Sequence, residues 1–183
     1  ELQAAVDMWV DDNATALSTY GEINTWDVSL ITDMSNLFKD KTTFNDDISS
    51  WDVANVTDMY EMFHSAESFN QDISSWDVSS VTRMNVLFRN AYSFNGDISS
   101  WDVSNVTLMD GMFTGAQNFN QDLSGWDVAS ITNMGTMFSG AVNFNQDLSS
   151  WNTSNETDMG YMFYSAESFN QDISSWNVSN VIN

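Results

Sequence analysis

Residues 44–66 read Phe44-Asn45-Asp46-Asp47-Ile48-Ser49-Ser50-Trp51-Asp52-Val53-Ala54-Asn55-Val56-Thr57-Asp58-Met59-Tyr60-Glu61-Met62-Phe63-His64-Ser65-Ala66. This stretch recurs along the chain with a fixed period. Trp26, Trp51, Trp76, Trp101, Trp126, Trp151 and Trp176 lie 25 residues apart. Phe44 continues as Phe69, Phe94, Phe119, Phe144 and Phe169, and Phe63 belongs to the column from Phe38 to Phe163. Met59 has counterparts at Met34, Met84, Met109, Met134 and Met159. A constant period of this length marks an array in which each repeat buries its apolar face only by stacking on the next.

Two apolar rhythms follow each other inside the unit. Ile48, Trp51, Val53 and Val56 have the spacing of a leucine-rich-repeat strand, with Asn55 near the place of its turn asparagine. Met59, Met62, Phe63 and Ala66 fall at i, i+3, i+4 and i+7, the pattern of one helix face. Thr57 and Asp58 suit the start of that helix, the hydroxyl as a cap and the carboxylate at the positive end of the dipole. Tyr60, Glu61 and Ser65 are expected to face solvent. The expected fold is an α/β solenoid: a leucine-rich-repeat-like right-handed coil with one short parallel strand and one short helix per repeat. With strands about 4.8 Å apart, seven coils would span roughly 30–35 Å.

Leu2, Ala5, Val6, Trp9 and Val10 form an amphipathic stripe outside the repeat. Residues 1–18 are therefore expected to be an N-terminal helical cap, and residues 19–183 an array of about six to seven units with a truncated or uncapped C-terminus. The chain starts at Glu1 without methionine and stops part-way through a unit, which suits a processed protein or a piece of a longer one. Thr153 and Glu156 occupy apolar columns, and Lys41 stands where later units carry Ala66, Ala91, Ala116, Ala141 and Ala166. Repeat drift, with Glu156 swung to solvent, and a local binding determinant are both open readings.

Net charge is -22, with only four basic residues. Such a balance argues against nucleic acid and anionic membranes, and favours cations, basic partners or simple solubility. Hydrophobic content of 42% and aromatic content of 14% suffice for a buried stack. Cysteine is absent, so neither disulfides nor thiolate metal sites arise. No apolar run reaches membrane-spanning length, and no direct membrane insertion is expected.

Phe69-Asn70-Gln71-Asp72-Ile73-Ser74-Ser75-Trp76-Asp77-Val78-Ser79, followed by Val81-Thr82-Arg83-Met84, and Met62-Phe63 with Ala66, closely resembles the BspA-like leucine-rich-repeat surface proteins with their mycoplasma-lipoprotein-type repeat. The start, with Ala5-Val6, Trp9 and Tyr20-Gly21-Glu22-Ile23 before Trp26-Asp27-Val28-Ser29, also resembles that family. The resemblance covers essentially the whole chain. It implies a secreted or cell-surface protein used in adhesion or recognition, without known catalysis.

Two acidic columns are the candidate chemistry. Asp47, Asp72, Asp97, Asp122, Asp147 and Asp172 suit a tight bend in which each carboxylate accepts backbone amides. Asp27, Asp52, Asp77, Asp102 and Asp127 follow the tryptophans and, with Ser50, Ser75 and Ser100, form the candidate binding face. For this second column three readings stand: solvation with salt screening, contact with a partner, and a calcium site at Asp52, Asp77 and Asp102. No cofactor is required; calcium is a candidate. Like charges about 5 Å apart cost about 1 kcal/mol per pair in water. Crowding is therefore expected to raise the aspartate pKa values, so that mild acid stabilises. The Asn45 to Asn170 column is expected to be a buried amide ladder. Sequons at Asn13, Asn55, Asn105, Asn152, Asn155 and Asn177 are glycosylation candidates.

His64 is the only histidine and reads as surface variation. No base is paired with a serine, and no phosphate loop occurs, so no enzyme is expected. The expected function is non-catalytic, extracellular adhesion or recognition of a protein, glycan or mineral surface through the acidic face. The alternative is a structural or assembly subunit that stacks through its C-terminal edge.

Overall fold

A computed structural model describes residues 1–183. Two helices open the chain: α1 (Leu2–Asp11) and α2 (Asn13–Tyr20). The apolar stripe of α1 buries Ala5, Val6 and Trp9. Asp12 separates the helices and caps the second, its carboxylate accepting from Thr15 N (3.2 Å) and Thr15 Oγ1 (2.7 Å). Gly21 ends α2 at φ 76°, a conformation that costs glycine little. α1 lies against the first repeat unit: Trp9 Nε1 donates to Asp46 Oδ2 at 2.9 Å, and Gln3 Nε2 to the Leu37 carbonyl at 3.1 Å. Lys41 reaches Asp7 of α1 at 2.8 Å. That contact accounts for the lysine: this unit borders a helix, whereas its successors border another unit.

From Ile23 onward the chain is a succession of turns joined to their 25-residue neighbours. Of 86 backbone–backbone hydrogen bonds, 75 lie outside regular elements, so the fold is held by turns within units and by bonds between units, and not by helices or strands. Isolated parallel bridges link Asp33 to Asp58, Asp58 to Arg83, Arg83 to Leu108, and Asn133 to Asp158. The strand expected around Trp51–Val56 is absent. Turns close Trp51 N onto Ile48 O (3.2 Å) and Val56 N onto Val53 O (2.9 Å), and the bridge column falls one residue before each methionine.

The helix expected over Met59–Ala66 does not form either. Met62, His64 and Ala66 donate three residues back, to Met59, Glu61 and Phe63. The alternate amides of Met59, Glu61, Phe63 and Ser65 instead donate to Arg83, Asn85, Leu87 and Arg89 of the next unit. Turning every second amide outward requires left-handed residues, and Glu61 (φ 54°) and Ser65 (φ 57°) adopt that region. An α-helix would direct all these amides inward and leave the units unjoined. Three overlapping turns still bury Met59, Met62, Phe63 and Ala66, so the apolar spacing has a helix-like rhythm without a helix. Thr57 caps nothing; its N (2.8 Å) and Oγ1 (3.2 Å) both donate to Thr32 O.

Side chains stack in the same register. Phe38 and Phe63 lie 5.3 Å apart with planes 2° from parallel, and Phe63 meets Phe69 of its own unit at 4.1 Å. Each ladder tryptophan from Trp51 onward donates its Nε1 to a carbonyl 28 residues back, as Trp101 does to Ile73 O at 3.1 Å. The indoles are thereby both core and cross-link, their one polar atom satisfied inside an apolar stack.

Candidate functional site

Asp27, Asp52, Asp77, Asp102 and Asp127 occupy equivalent places in successive units, and all five are exposed. Each carboxylate closes a small turn. Asp52 Oδ1 accepts from Ala54 N (3.1 Å), Asp102 Oδ1 from Ser104 N (3.0 Å) and Asp127 Oδ1 from Ala129 N (3.1 Å). At Asp27 and Asp77 the serine two residues on donates both its amide (3.1 Å) and its hydroxyl (2.6 Å). The Asp47 column does the same, with Ser49 N at 2.9 Å and Ser74 N at 3.0 Å from Asp72. A third set, missed in the sequence, runs through Asp33, Asp58, Asn133 and Asp158, which accept from the residue two positions on at 2.8 Å. The signal was present in the letters: Asp or Asn recurs at the same three places of the unit.

These turns overturn the expected rise in aspartate pKa. Ser29 holds the Asp27 carboxyl below its ordinary value, Ser79 does so for Asp77, and Ser104 for Asp102. The charge of Asp77 pushes Asp102 upward, but it is the smallest influence there. Local hydrogen bonds to the ionised form outweigh repulsion across solvent.

The serines of the candidate face are exposed, but their hydroxyls are engaged along the stack. Ser75 Oγ donates to Ser49 O (3.1 Å) and Ser100 Oγ to Ser74 O (3.0 Å), while Ser50 donates to Asn24 O. They stitch units together, which leaves the aspartate carboxylates as the outward chemistry. No group of three or more histidine, cysteine, aspartate or glutamate side chains is placed to hold a metal ion; Asp52, Asp77 and Asp102 are not drawn into such a cluster.

The asparagine column is at or near the surface, not buried. Asn45 Oδ1 accepts from Asn70 N at 2.8 Å, and Asn70 Oδ1 from Asn95 N at 2.8 Å. Among the sequons, Asn55, Asn105 and Asn155 are exposed, yet their Nδ2 atoms donate to Ser29 O, Ser79 O and Ala129 O. Asn13 Nδ2 lies 3.5 Å from Trp9 O.

The basic residues sit in the early units. Lys39 pairs with Glu61 at 2.5 Å. Arg83 lies 3.1 Å from Asp58 and 3.9 Å above the Tyr60 ring. These contacts leave Tyr60 and Glu61 half-buried instead of facing solvent. His64 is half-buried too, its Nδ1 3.5 Å from Glu61 Oε1.

Glu156 does not swing to solvent. It is 1% exposed, neither carboxylate oxygen has a hydrogen-bond partner, and burial pushes its pKa up from 4.5 to about 7. Thr153, also buried, donates its hydroxyl to Asn177 O at 3.2 Å. At the last units Met159, Phe163, Phe169 and Ile173 are only partly buried. No helix is long and apolar enough to cross a membrane.

No curated protein and no solved structure matches the chain. The family described as "Mycoplasma protein of unknown function, DUF285" matches over residues 7–124 and again over 94–183. The two matches together span the 25-residue units and nearly all of the chain, and the chain belongs to this repeat family.

Proposed function

We propose that the chain is a non-catalytic recognition module of the extracellular space or cell surface, built as a leucine-rich-repeat-type solenoid of the BspA-like kind. It meets protein, glycan or mineral surfaces through its acidic columns. The supporting observation is the state of Asp27, Asp77 and Asp102: exposed, turned outward, one oxygen fixed by its own turn and the carboxyl held ionised. A regularly spaced row of fixed negative charge favours partners with complementary spacing and speeds their encounter.

Asp52, Asp77 and Asp102 changed together to Asn test this reading. Asn152 and Asn177 already close the same turns with Ser154 and Ser179 (3.2 and 3.1 Å), so the triple variant removes charge and keeps structure. Retention on polylysine and hydroxyapatite should fall at low salt, and unchanged retention would sink the reading. Calcium is sought on the same column. A melting temperature that rises more with millimolar calcium than with sodium of equal ionic strength supports direct coordination, whereas equal shifts leave only screening.

A second reading, assembly through the C-terminal edge, is favoured by one observation. Consecutive units are joined by repeating amide-to-carbonyl bonds, such as Phe63 N to Leu87 O at 3.0 Å, a mode of contact that serves equally between copies. Light scattering over a concentration series distinguishes the two: a constant monomer mass argues against assembly, and mass growing with concentration argues for it.

A further inference from the structure

The tryptophan column is uniform except at its first member. Trp51 to Trp176 are at most 8% exposed, whereas Trp26 is half-buried. One face of Trp26 rests on Trp51, with centroids 6.4 Å apart and planes 21° from parallel. Trp9 and Tyr20 meet it edge to face, each at 5.8 Å. Between α1 and the first unit this leaves an open groove of about 680 Å³, lined by Glu1, Leu2, Tyr20, Trp26, Asp27 and Ile31 among others. The indole N–H is already satisfied by Gly21 O at 3.2 Å, so Trp26 offers π surface and not a donor. Tyr20, 45% exposed, stands across it at 69°.

The rim is anionic. Asp27 Oδ1 is fixed by Ser29, and Asp27 Oδ2 has no partner within the chain. None of Lys39, Lys41, Arg83 and Arg89 lines the groove. Two aromatic faces set at an angle, beside free carboxylate oxygens in a protein of net charge -22, attract positive charge and repel anions. A purely apolar ligand would leave the carboxylates without a role. The chain already holds one cation in this manner: the Arg83 guanidinium lies 3.9 Å above the Tyr60 ring with Asp58 Oδ2 at 3.1 Å.

We propose that the groove between α1 and the first unit binds an organic cation, an alkylated ammonium or a guanidinium, against Trp26 and Tyr20 with Asp27 as counter-charge. This does not rest on the recognition role of the acidic columns.

The test titrates the whole chain with choline and with its neutral isostere 3,3-dimethylbutan-1-ol, following the indole N–H resonances and tryptophan fluorescence. Choline should shift Trp26 selectively, and the neutral isostere should bind at least several-fold more weakly. Tyr20→Ala and Asp27→Asn should each weaken choline by about five-fold, with melting temperatures near the parent because Tyr20 is exposed and Asn closes the same turn. Equal binding of the neutral isostere, a Trp26 signal that does not move, or affinity unchanged in both variants would overturn the proposal. A short peptide carrying trimethyllysine separates the sources. Tighter binding than choline assigns the cation to a basic side chain of a partner, and no gain assigns it to a free amine.

Discussion

Glu156→Val would restore the apolar column of Val56, Val81, Val106 and Ile131, and its effect should depend on pH in a defined way. The folded carboxyl keeps its proton until about pH 7, while the unfolded one releases it near 4.5. Between those values the folded state binds more protons, so its stability falls as pH rises and levels off above about 7. At 1.36 kcal/mol per unit, the cost of Glu156 is about 1 kcal/mol at pH 5 and about 3 kcal/mol at pH 8. Burying valine adds a pH-independent gain of about 1–2 kcal/mol. For a chain of this length 1 kcal/mol moves the melting temperature by about 2–4 °C. The advantage of Glu156→Val over the parent should therefore grow by roughly 4–8 °C between pH 5 and pH 8. Thermal melts by circular dichroism at pH 5, 6, 7 and 8 measure it. Glu156→Gln, uncharged but polar, should show the same pH dependence with a smaller offset. A difference between parent and valine variant that stays constant across this range would refute the reasoning, because the burial cost would then not be electrostatic.

Val86 is β-branched and sits at φ 63°, where the next unit carries Gly111 at the same φ. Val86→Gly should stabilise by about 1 kcal/mol, since relief of left-handed strain exceeds the entropy of glycine; a loss in urea midpoint would contradict this. Asp27, Asp72, Asp77, Asp97, Asp102, Asp147 and Asp172 all have folded pKa values below the ordinary 3.8, chiefly through the serine two residues on. Their contribution is present above pH 3.8 and is lost as pH falls through the folded values. The urea midpoint should drop below about pH 4, and a midpoint that rises there would restore the like-charge reading.

The columns were legible because stacking prints each contact on the sequence at a constant interval. Phe63 over Phe88, or Trp101 over the first residues of the preceding unit, needs no knowledge of backbone geometry. What the letters misled on was local conformation. The spacing of Met59, Met62, Phe63 and Ala66 fits a helix face, but it equally fits a run of overlapping turns, and only the destination of the amides decides between them. Val86 at positive φ shows that composition gives poor warning of it: a residue type ill suited to that region occupies it because the inter-unit bonds demand it. An isolated carboxylate in an apolar column usually leaves the core, yet Glu156 stays buried. The aspartates were legible in position but not in role. Their number suggested repulsion, while each is tied to its own serine or alanine amide two residues later. The Trp26 groove leaves no trace in the period because it exists only where the helical pair meets the first unit.

The alternation of inward and outward amides between Met59 and Ser65 has a mechanical consequence. Each unit holds only half of its own turn together, and the other half is completed by its successor. An isolated unit thus has little tendency to fold, while a growing stack hands every newcomer a finished template, as a zipper does its next tooth. Under tension applied at the two ends the units should come away one after another. The force trace would then be a staircase, each step one 25-residue period long.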